Sequence, residues 1–359
     1  MKKLKILLLT LVFTVSFSLA ASASASGPDQ ITYQQAVDMA LKNSYALRNA
    51  VADIERTDEV RDKANDNIDY IPDDGDSAEA SKAYTRLVQA DISWLMSKKA
   101  LEIGQDTIAY AVKQYYNAVL QAQEKKNLAD LTLENEYWQN RINEFKYQVG
   151  MLSGIERINS NSSYSAAKDS QKAAEKALDD AYHKFNQIVG MPVDSRTRLS
   201  DQPEMKVLEN INLETEVNQV VSESYSVWQA NQEITLAKLN LELYTFNDSS
   251  NPDTYKAKEI DVEKKENSAE DTKKNLAQSV RTLYYNIKQM EDQYSGLQAK
   301  LNAAEQSSKI MQVKFDIGMA TKADLISAQL AVEQLQQQKL DTCAQHDNLL
   351  MAFEKPWVY

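Results

Sequence analysis

The chain has 359 residues, of which 43% are hydrophobic and 26% are charged, and its formal net charge at pH 7 is -12. This acidic balance disfavours nucleic acids and anionic membrane surfaces as partners. Only 8 glycines and 6 prolines occur, which favours long uninterrupted helices, and the lone Cys343 excludes an internal disulfide.

The first 25 residues have the pattern of a signal peptide. Lys2, Lys3 and Lys5 precede an apolar run over 6–20, and residues 21–25 offer two overlapping small-x-small cleavage sites. The run is shorter than a bilayer-spanning helix requires, although an uncleaved anchor remains the alternative. We therefore expect an exported protein with no direct membrane span in the mature chain. Its formal charge is -15 once the three lysines are removed from the total of -12.

The remainder of the chain is a tandem duplication. Residues 31–50 align without a gap to residues 211–230, and the identical pairs include Ser44 with Ser224 and Tyr45 with Tyr225. Further along, the Tyr-Tyr-Asn sequence at 115–117 recurs at 284–286. The predicted organisation is a first repeat over 26–190, a linker over 191–210, a second repeat over 211–353 and a tail over 354–359.

Each repeat is predicted to contain a helix, a polar break, a very long helix, a tight turn and a return helix. The expected ranges are 31–65, 66–80, 81–149 and 153–189 in the first repeat, and 212–246, 247–254, 255–317 and 321–353 in the second. A helix of nearly seventy residues is on the order of 100 Å long. Apolar residues recur at threes and fours along these helices, which is typical of a narrow packing seam. The predicted fold is all-α, with long antiparallel hairpins that pack side by side within the chain and between chains.

The two tight turns have matching sequences. Gly150 and Gly318 are each followed after three residues by a hydroxyl side chain, Ser153 or Thr321. A carboxylate follows three residues later, Glu156 in the first repeat and Asp324 in the second. A glycine ends a helix at little conformational cost, and the hydroxyl and carboxylate have capping-box spacing for the next helix.

The duplicated arrangement, the turns and the repeat opening together resemble the TolC-like outer membrane efflux proteins. The opening is carried by Ile31, Thr32, Ala36, Val37, Ala40, Leu41 and Asn43. In that family three chains form a tube, and the hairpin tips dock on an adaptor bound to an ABC or other energised transporter. The resemblance thus implies a homo-trimer and an adaptor-docking surface made of Gly150, Met151, Leu152, Ser153, Gly318, Met319, Ala320 and Thr321.

The two carboxylates have two interpretations. The resemblance implies that Glu156 and Asp324 line the closed aperture of the tube, where a ring of acids would exclude anions and bind cations. The alternative is that both acids only cap helices. Ser327 stands where a second aperture carboxylate would be expected, which weakens the ring.

The polar breaks depart from the family pattern. Family members carry two transmembrane strands in each break, and such a hairpin needs more than about 20 residues. Five of the twelve residues over 66–77 are aspartate, and the second break is shorter still. We expect a member without the membrane barrel. The family resemblance implies the outer membrane, whereas short breaks favour the cell wall or extracellular face of a single-membrane organism.

No sequence pattern indicates catalysis, a metal site or a cofactor. His183 and His346 lack metal-ligand spacing and are expected to be solvated or partly packed, and the chain has neither a phosphate-binding loop nor a nucleophile elbow. The leading hypothesis is an exported conduit component of an efflux or secretion system that acts by assembly and is not an enzyme. The alternative is a cell-envelope scaffold or spacer that does not transport.

Overall fold

Long helices form nearly all of the structure, a computed structural model that describes residues 30–71, 77–209, 211–246 and 253–358. The first repeat contains α1 (Tyr33–Asn43), α2 (Tyr45–Asp66), α3 (Ala78–Gln148) and α4 (Gly154–Val189). The second contains α5 (Leu213–Glu223), α6 (Tyr225–Glu242), α7 (Tyr255–Asp316) and α8 (Lys322–Glu354). Two short strands, β1 (Gln30–Ile31) and β2 (Arg198–Leu199), pair in parallel. The predicted signal peptide and residues 72–76 and 247–252 of the predicted breaks lie outside the described residues.

The two longest helices give the molecule its length. α3 has 71 residues and α7 has 62, so α3 is about 105 Å long at 1.5 Å per residue. Neither helix contains a proline, and each contains a single glycine, Gly104 or Gly296. Such a composition leaves the backbone hydrogen-bond ladder uninterrupted. The predicted all-α fold of long antiparallel hairpins is confirmed.

The four long helices lie side by side in the order α4, α3, α8, α7. α2 packs along the first part of α3, and α6 packs in the same way along α7. The main contact between the repeats is the seam of α3 with α8, where the Lys113 ammonium lies 2.9 Å from the Asp347 carboxylate. In the same seam, the Asn117 side chain donates a hydrogen bond to Asn348 (3.3 Å). α4 and α7 therefore form the two outer edges of the layer.

Each repeat has its own hydrophobic core, far from the turns. The first core joins α1, α3, α4 and the strand pair around Val112, Tyr116 and Phe185. The second joins α5, α7 and α8 with Tyr110 of α3, and Phe353 stands there where the first repeat has Phe185. Thirty residues of helix separate Leu120 from Gly150, which places the turn about 45 Å from the first core. The turns therefore lie at the far ends of the long helices, away from the cores.

The sequence prediction of one continuous helix over 31–65 is wrong at Ser44. Its backbone is extended (φ -71°, ψ 115°), which ends α1, and its hydroxyl accepts a hydrogen bond from the Leu47 N–H (3.2 Å) to begin α2. Ser224 divides the second repeat in the same way, with φ -65° and ψ 133°. Serine hydroxyls compete with the helical ladder for nearby backbone groups, which favours such caps. α6 also ends at Glu242, four residues before the expected position.

Candidate docking site at the hairpin tips

The first hairpin tip, residues 149–153 (tip one), ends α3 through a left-handed glycine. Gly150 has φ +78° and its N–H donates to the Tyr147 carbonyl (3.0 Å). The Met151 N–H donates to the Lys146 carbonyl (2.7 Å). These two bonds form a Schellman motif, which satisfies carbonyl groups that the end of the helix leaves without partners.

The second hairpin tip, residues 317–321 (tip two), repeats this geometry at the end of α7. Gly318 has φ +77°, and its N–H donates to the Phe315 carbonyl (3.0 Å). The Met319 N–H donates to the Lys314 carbonyl (2.8 Å). The duplicated sequence therefore produces the same turn twice.

A capping box begins the return helix at each tip. The Ser153 N–H donates to the Glu156 carboxylate (2.9 Å), and the Glu156 N–H donates to the Ser153 hydroxyl (3.3 Å). At tip two, the Thr321 N–H donates to Asp324 (2.9 Å), and the Asp324 N–H donates to the Thr321 hydroxyl (3.1 Å). The backbone hydrogen bonds lower the pKa of both carboxyls, and the hydroxyls of Ser153 and Thr321 lower it further. Both groups are ionised caps at the positive end of a helix.

The structure thus shows that Glu156 and Asp324 cap helices, as one of the two interpretations predicted. Both carboxylates also remain exposed to solvent. Lining an aperture requires several copies of the chain, so that role stays a prediction. Ser327, on the turn of helix after Asp324, instead donates to the Asn135 side chain (2.9 Å) in the seam of α3 with α8.

The two tips lie next to each other. The hydrogen bonds with Thr321 lower the pKa of Asp324 most, and the positive charge of Lys146, at the end of α3, lowers it further. Because the seam of α3 with α8 continues to within a few turns of both glycines, the hairpins end side by side.

Apolar side chains project into solvent from both tips. Met151 is 76% exposed and Met319 is 73% exposed. Val149 and Ile317 are exposed as well, whereas Leu152 and Ala320 are half-buried. Exposed apolar clusters of this kind mark interaction sites more often than isolated exposed residues do.

Sequence reasoning did not identify the exposed apolar residues that precede tip one and follow it. Phe145 and Ile155 extend the apolar surface on both helices of this hairpin. The residue after a Schellman glycine commonly contacts an apolar residue five or six positions earlier. Those positions are Lys146 and Phe145 here, and both Phe145 and Met151 are largely exposed.

Polar and cationic side chains brace the first hairpin near its tip. The Arg157 guanidinium of α4 lies over the Tyr147 ring of α3, 4.4 Å from its centre. The Asn140 side chain donates to Asn161 (2.7 Å), and Asn143 donates to the Ser160 hydroxyl (3.1 Å). These contacts fix the first turns of α4 against the end of α3.

Other types of site receive no support from the described ranges. Within them no group of three or more His, Cys, Asp or Glu side chains is placed to hold a metal ion. His183 is partly exposed, but the expectation for His346 is wrong, because this side chain is fully buried. Its Nε2 lies 3.7 Å from Glu291, which is too long for a hydrogen bond. No helix in the part of the chain that the structure covers combines the length and apolar character of a membrane span.

The hairpin architecture is also found in known proteins. Residues 210–352, which correspond to the second repeat, match the family model described as "Outer membrane efflux protein". The resemblance to the outer membrane efflux protein family is confirmed. The family and the similar structures are channel proteins rather than enzymes. No curated protein matches the sequence.

Solved structures of outer-membrane proteins share the fold of this chain over most of their length. The channel OprN aligns with a TM-score of 0.67 at 11% identity, covering 91% of each chain. VceC from Vibrio cholerae gives 0.63 at 10% identity, covering 91% of this chain and 95% of that one. CmeC from Campylobacter jejuni gives 0.60 at 12% identity, covering 90% and 85%. At these identities the likeness shows the fold.

Proposed function

We propose that the protein is an exported component of an efflux or secretion conduit that docks through tip one and tip two on the adaptor of a transport system. An ABC transporter or another energised transporter would supply the work, and the protein would act in the cell envelope by assembly. The observation that carries this proposal is the pair of adjacent, rigidly capped tips that expose Met151 and Met319. The match to the efflux protein family and the channel fold of the similar structures support it.

The tips suit a helical partner because their shape is fixed before binding. Each turn is closed by two Schellman bonds and a capping box, so little backbone freedom is lost when a partner docks. Methionine is flexible and polarizable, and it adapts to apolar surfaces of different shape. The hairpin end of an adaptor that presents apolar side chains would bury both methionines.

We also propose that three copies form the conduit. α4 and α7 are the outer edges of a four-helix layer, and a layer with two open edges closes when copies associate edge to edge. Size-exclusion chromatography with light scattering tests this directly. A mass of three chains is expected, and a strictly monomeric protein at all concentrations would contradict the trimer.

Site-specific photo-cross-linking tests the docking site. A photoreactive amino acid is placed at Met151 or Met319, and at the exposed shaft position Lys176 as control, in cells that co-express the adaptor. The expected result is a covalent link to the adaptor's hairpin from both tip positions and none from the shaft. Equal linking from the shaft, or no link from either tip, would refute docking through the tips.

Substitution measures the contribution of the apolar contact. A Met151→Asp and Met319→Asp double variant should lose at least about tenfold in adaptor affinity, because each carboxylate must be desolvated on docking. The matched Met151→Leu and Met319→Leu variant keeps the apolar surface and should bind within about threefold of the original. Equal binding by both double variants would show that the methionines do not contact the adaptor.

A further inference from the structure

The linker between the repeats is fastened to α7 through the backbone of Leu208. The Leu208 N–H donates to the Glu291 carboxylate (2.9 Å), and the Leu208 carbonyl accepts from the Lys288 ammonium (2.5 Å). Lys288 also donates to the second oxygen of Glu291 (2.8 Å), one helical turn away. We call the group of Leu208, Lys288 and Glu291 the linker latch.

A buried histidine lies beside the linker latch. His346 is 0% exposed, and neither of its ring nitrogens has a hydrogen-bond partner in the part of the chain that the structure describes. Its Nε2 lies 3.7 Å from Oε1 of Glu291, the same oxygen that accepts from the Leu208 N–H. A protonated imidazole has two N–H donors, so in this environment both would be buried without an acceptor.

The linker crosses α8 next to this histidine. The Met205 backbone makes a hydrogen bond with the Cys343 side chain, one helical turn before His346. Three residues farther along the linker, Leu208 is bound to Glu291 beside His346. Met205 and Leu208 are half-buried, whereas the two residues between them are exposed. The inner side of the linker therefore covers this part of α7 and α8.

The charges around His346 do not compensate for its burial. The charged and titratable groups near it are Lys288 and Glu291 from α7, Cys343 and Asp347 from α8, Lys113 from α3 and Glu204 from the linker. Burial lowers the pKa of His346 most, Glu291 and Asp347 raise it, and Lys288 lowers it further. Both of these carboxylates are already paired with a lysine, because Asp347 lies 2.9 Å from the Lys113 ammonium.

Protonation of His346 therefore requires water to reach the ring. α7 and α8 are held by the second core, whereas residues 202–209 form neither helix nor strand. Local opening takes place in the segments that are held least strongly. We propose that the linker latch is an acid-sensitive device, in which protonation of His346 releases residues 204–208 from α7 and α8. The seam of α3 with α8 stays closed, so acid loosens the linker without separating the repeats.

Hydrogen exchange resolved to single amides tests the latch on the full chain at pH 7.5 and pH 5.0. The protection factor of the Leu208 amide, corrected for the intrinsic exchange rate at each pH, should fall by about tenfold. About 30-fold is the upper limit, because pH 5.0 is about 1.5 pH units below the ordinary pKa of 6.5. The Asp201 amide, which donates to Tyr116 in the same linker, should keep its protection.

Three variants identify the group that responds to acid. His346→Leu fills the buried site with an apolar side chain and should abolish the loss of protection at Leu208. Glu291→Gln keeps an oxygen for the Leu208 N–H but removes the charge that favours the imidazolium, so the loss should be at least as large as in the original chain. His183→Gln should respond like the original chain.

Three results would overturn the proposal. Equal protection of the Leu208 amide at both pH values would show that acid does not release the linker. A loss that survives His346→Leu, or that Glu291→Gln abolishes, would show that a group other than His346 controls the release. An equal loss at the Asp201 amide would show that acid opens the whole chain and not the latch.

Discussion

Two glycines of the second repeat should respond in opposite directions to the same substitution. Gly318→Ala places a Cβ atom at a left-handed residue with φ +77°, whereas Gly296→Ala places it in the interior of a regular helix. Neither added Cβ meets another atom within 4 Å, so no steric clash contributes at either site. The difference between the two variants therefore isolates the backbone conformation.

The expected magnitudes follow from this comparison. The left-handed conformation costs an alanine about 1–2 kcal/mol, and the reduced entropy of the unfolded chain returns about 0.4–1 kcal/mol. Gly318→Ala should then lower the free energy of unfolding by roughly 1 kcal/mol. Gly296→Ala should raise it by up to about 1 kcal/mol, because alanine has the higher helix propensity.

Urea unfolding followed by circular dichroism at 222 nm measures both variants. The midpoint should move down for Gly318→Ala and up for Gly296→Ala, with an unchanged slope m. Gly150→Ala and Gly154→Ala repeat the comparison at tip one, where Gly150 has φ +78° and Gly154 begins α4. A shift in the same direction for Gly318→Ala and Gly296→Ala would show that the left-handed turn does not control helix termination.

Two further pairs of substitutions, one at equivalent tyrosines and one at the two histidines, should give contrasting results. The buried Tyr116 hydroxyl accepts a hydrogen bond from the Asp201 N–H (2.9 Å). Tyr116→Phe should therefore lower the free energy of unfolding by about 1–3 kcal/mol and speed hydrogen exchange at the Asp201 amide. Tyr285→Phe, at the equivalent and 64% exposed position, should change neither quantity, and equal effects would contradict this account. Burial lowers the pKa of His346 below 6.5, and this effect exceeds the opposite effect of the nearby Glu291. The folded state therefore binds fewer protons than the unfolded state, so the free energy of unfolding should fall as the pH drops below about 6.5. His346→Leu should remove this slope in urea midpoints between pH 5 and 7 and His183→Gln should retain it; a slope that survives His346→Leu would refute the assignment.

The tips and the long helices could be predicted because their signals are local. Gly150 and Gly318 set the helix ends, and Ser153 and Thr321 cap the next helices with carboxylates three residues away. Each of these motifs satisfies its hydrogen bonds within about ten residues, so no distant contact is needed to form it. The residues of the candidate docking site lie in these turns, but their docking role was implied by the family resemblance and stays a prediction.

The breaks at Ser44 and Ser224 were missed although they too are local. Both serines sit in sequences with strong helical periodicity, and that pattern outweighed the weaker cap signal. Each repeat opens with two helices instead of one. α1 and α5 pack into the cores, whereas α2 and α6 pack along the long helices.

The amino-acid sequence by itself determined the helices, the paired turns and the two-fold repeat, because these depend on the backbone preferences of neighbouring residues. The tertiary structure alone decided which of two equivalent side chains is covered. Ile326 is buried and Ile158 is exposed, although their local sequences give both the same helical position. The physical reason is that burial depends on the neighbouring helix, and α8 has α3 beside it whereas the equivalent face of α4 has no neighbour among the described residues.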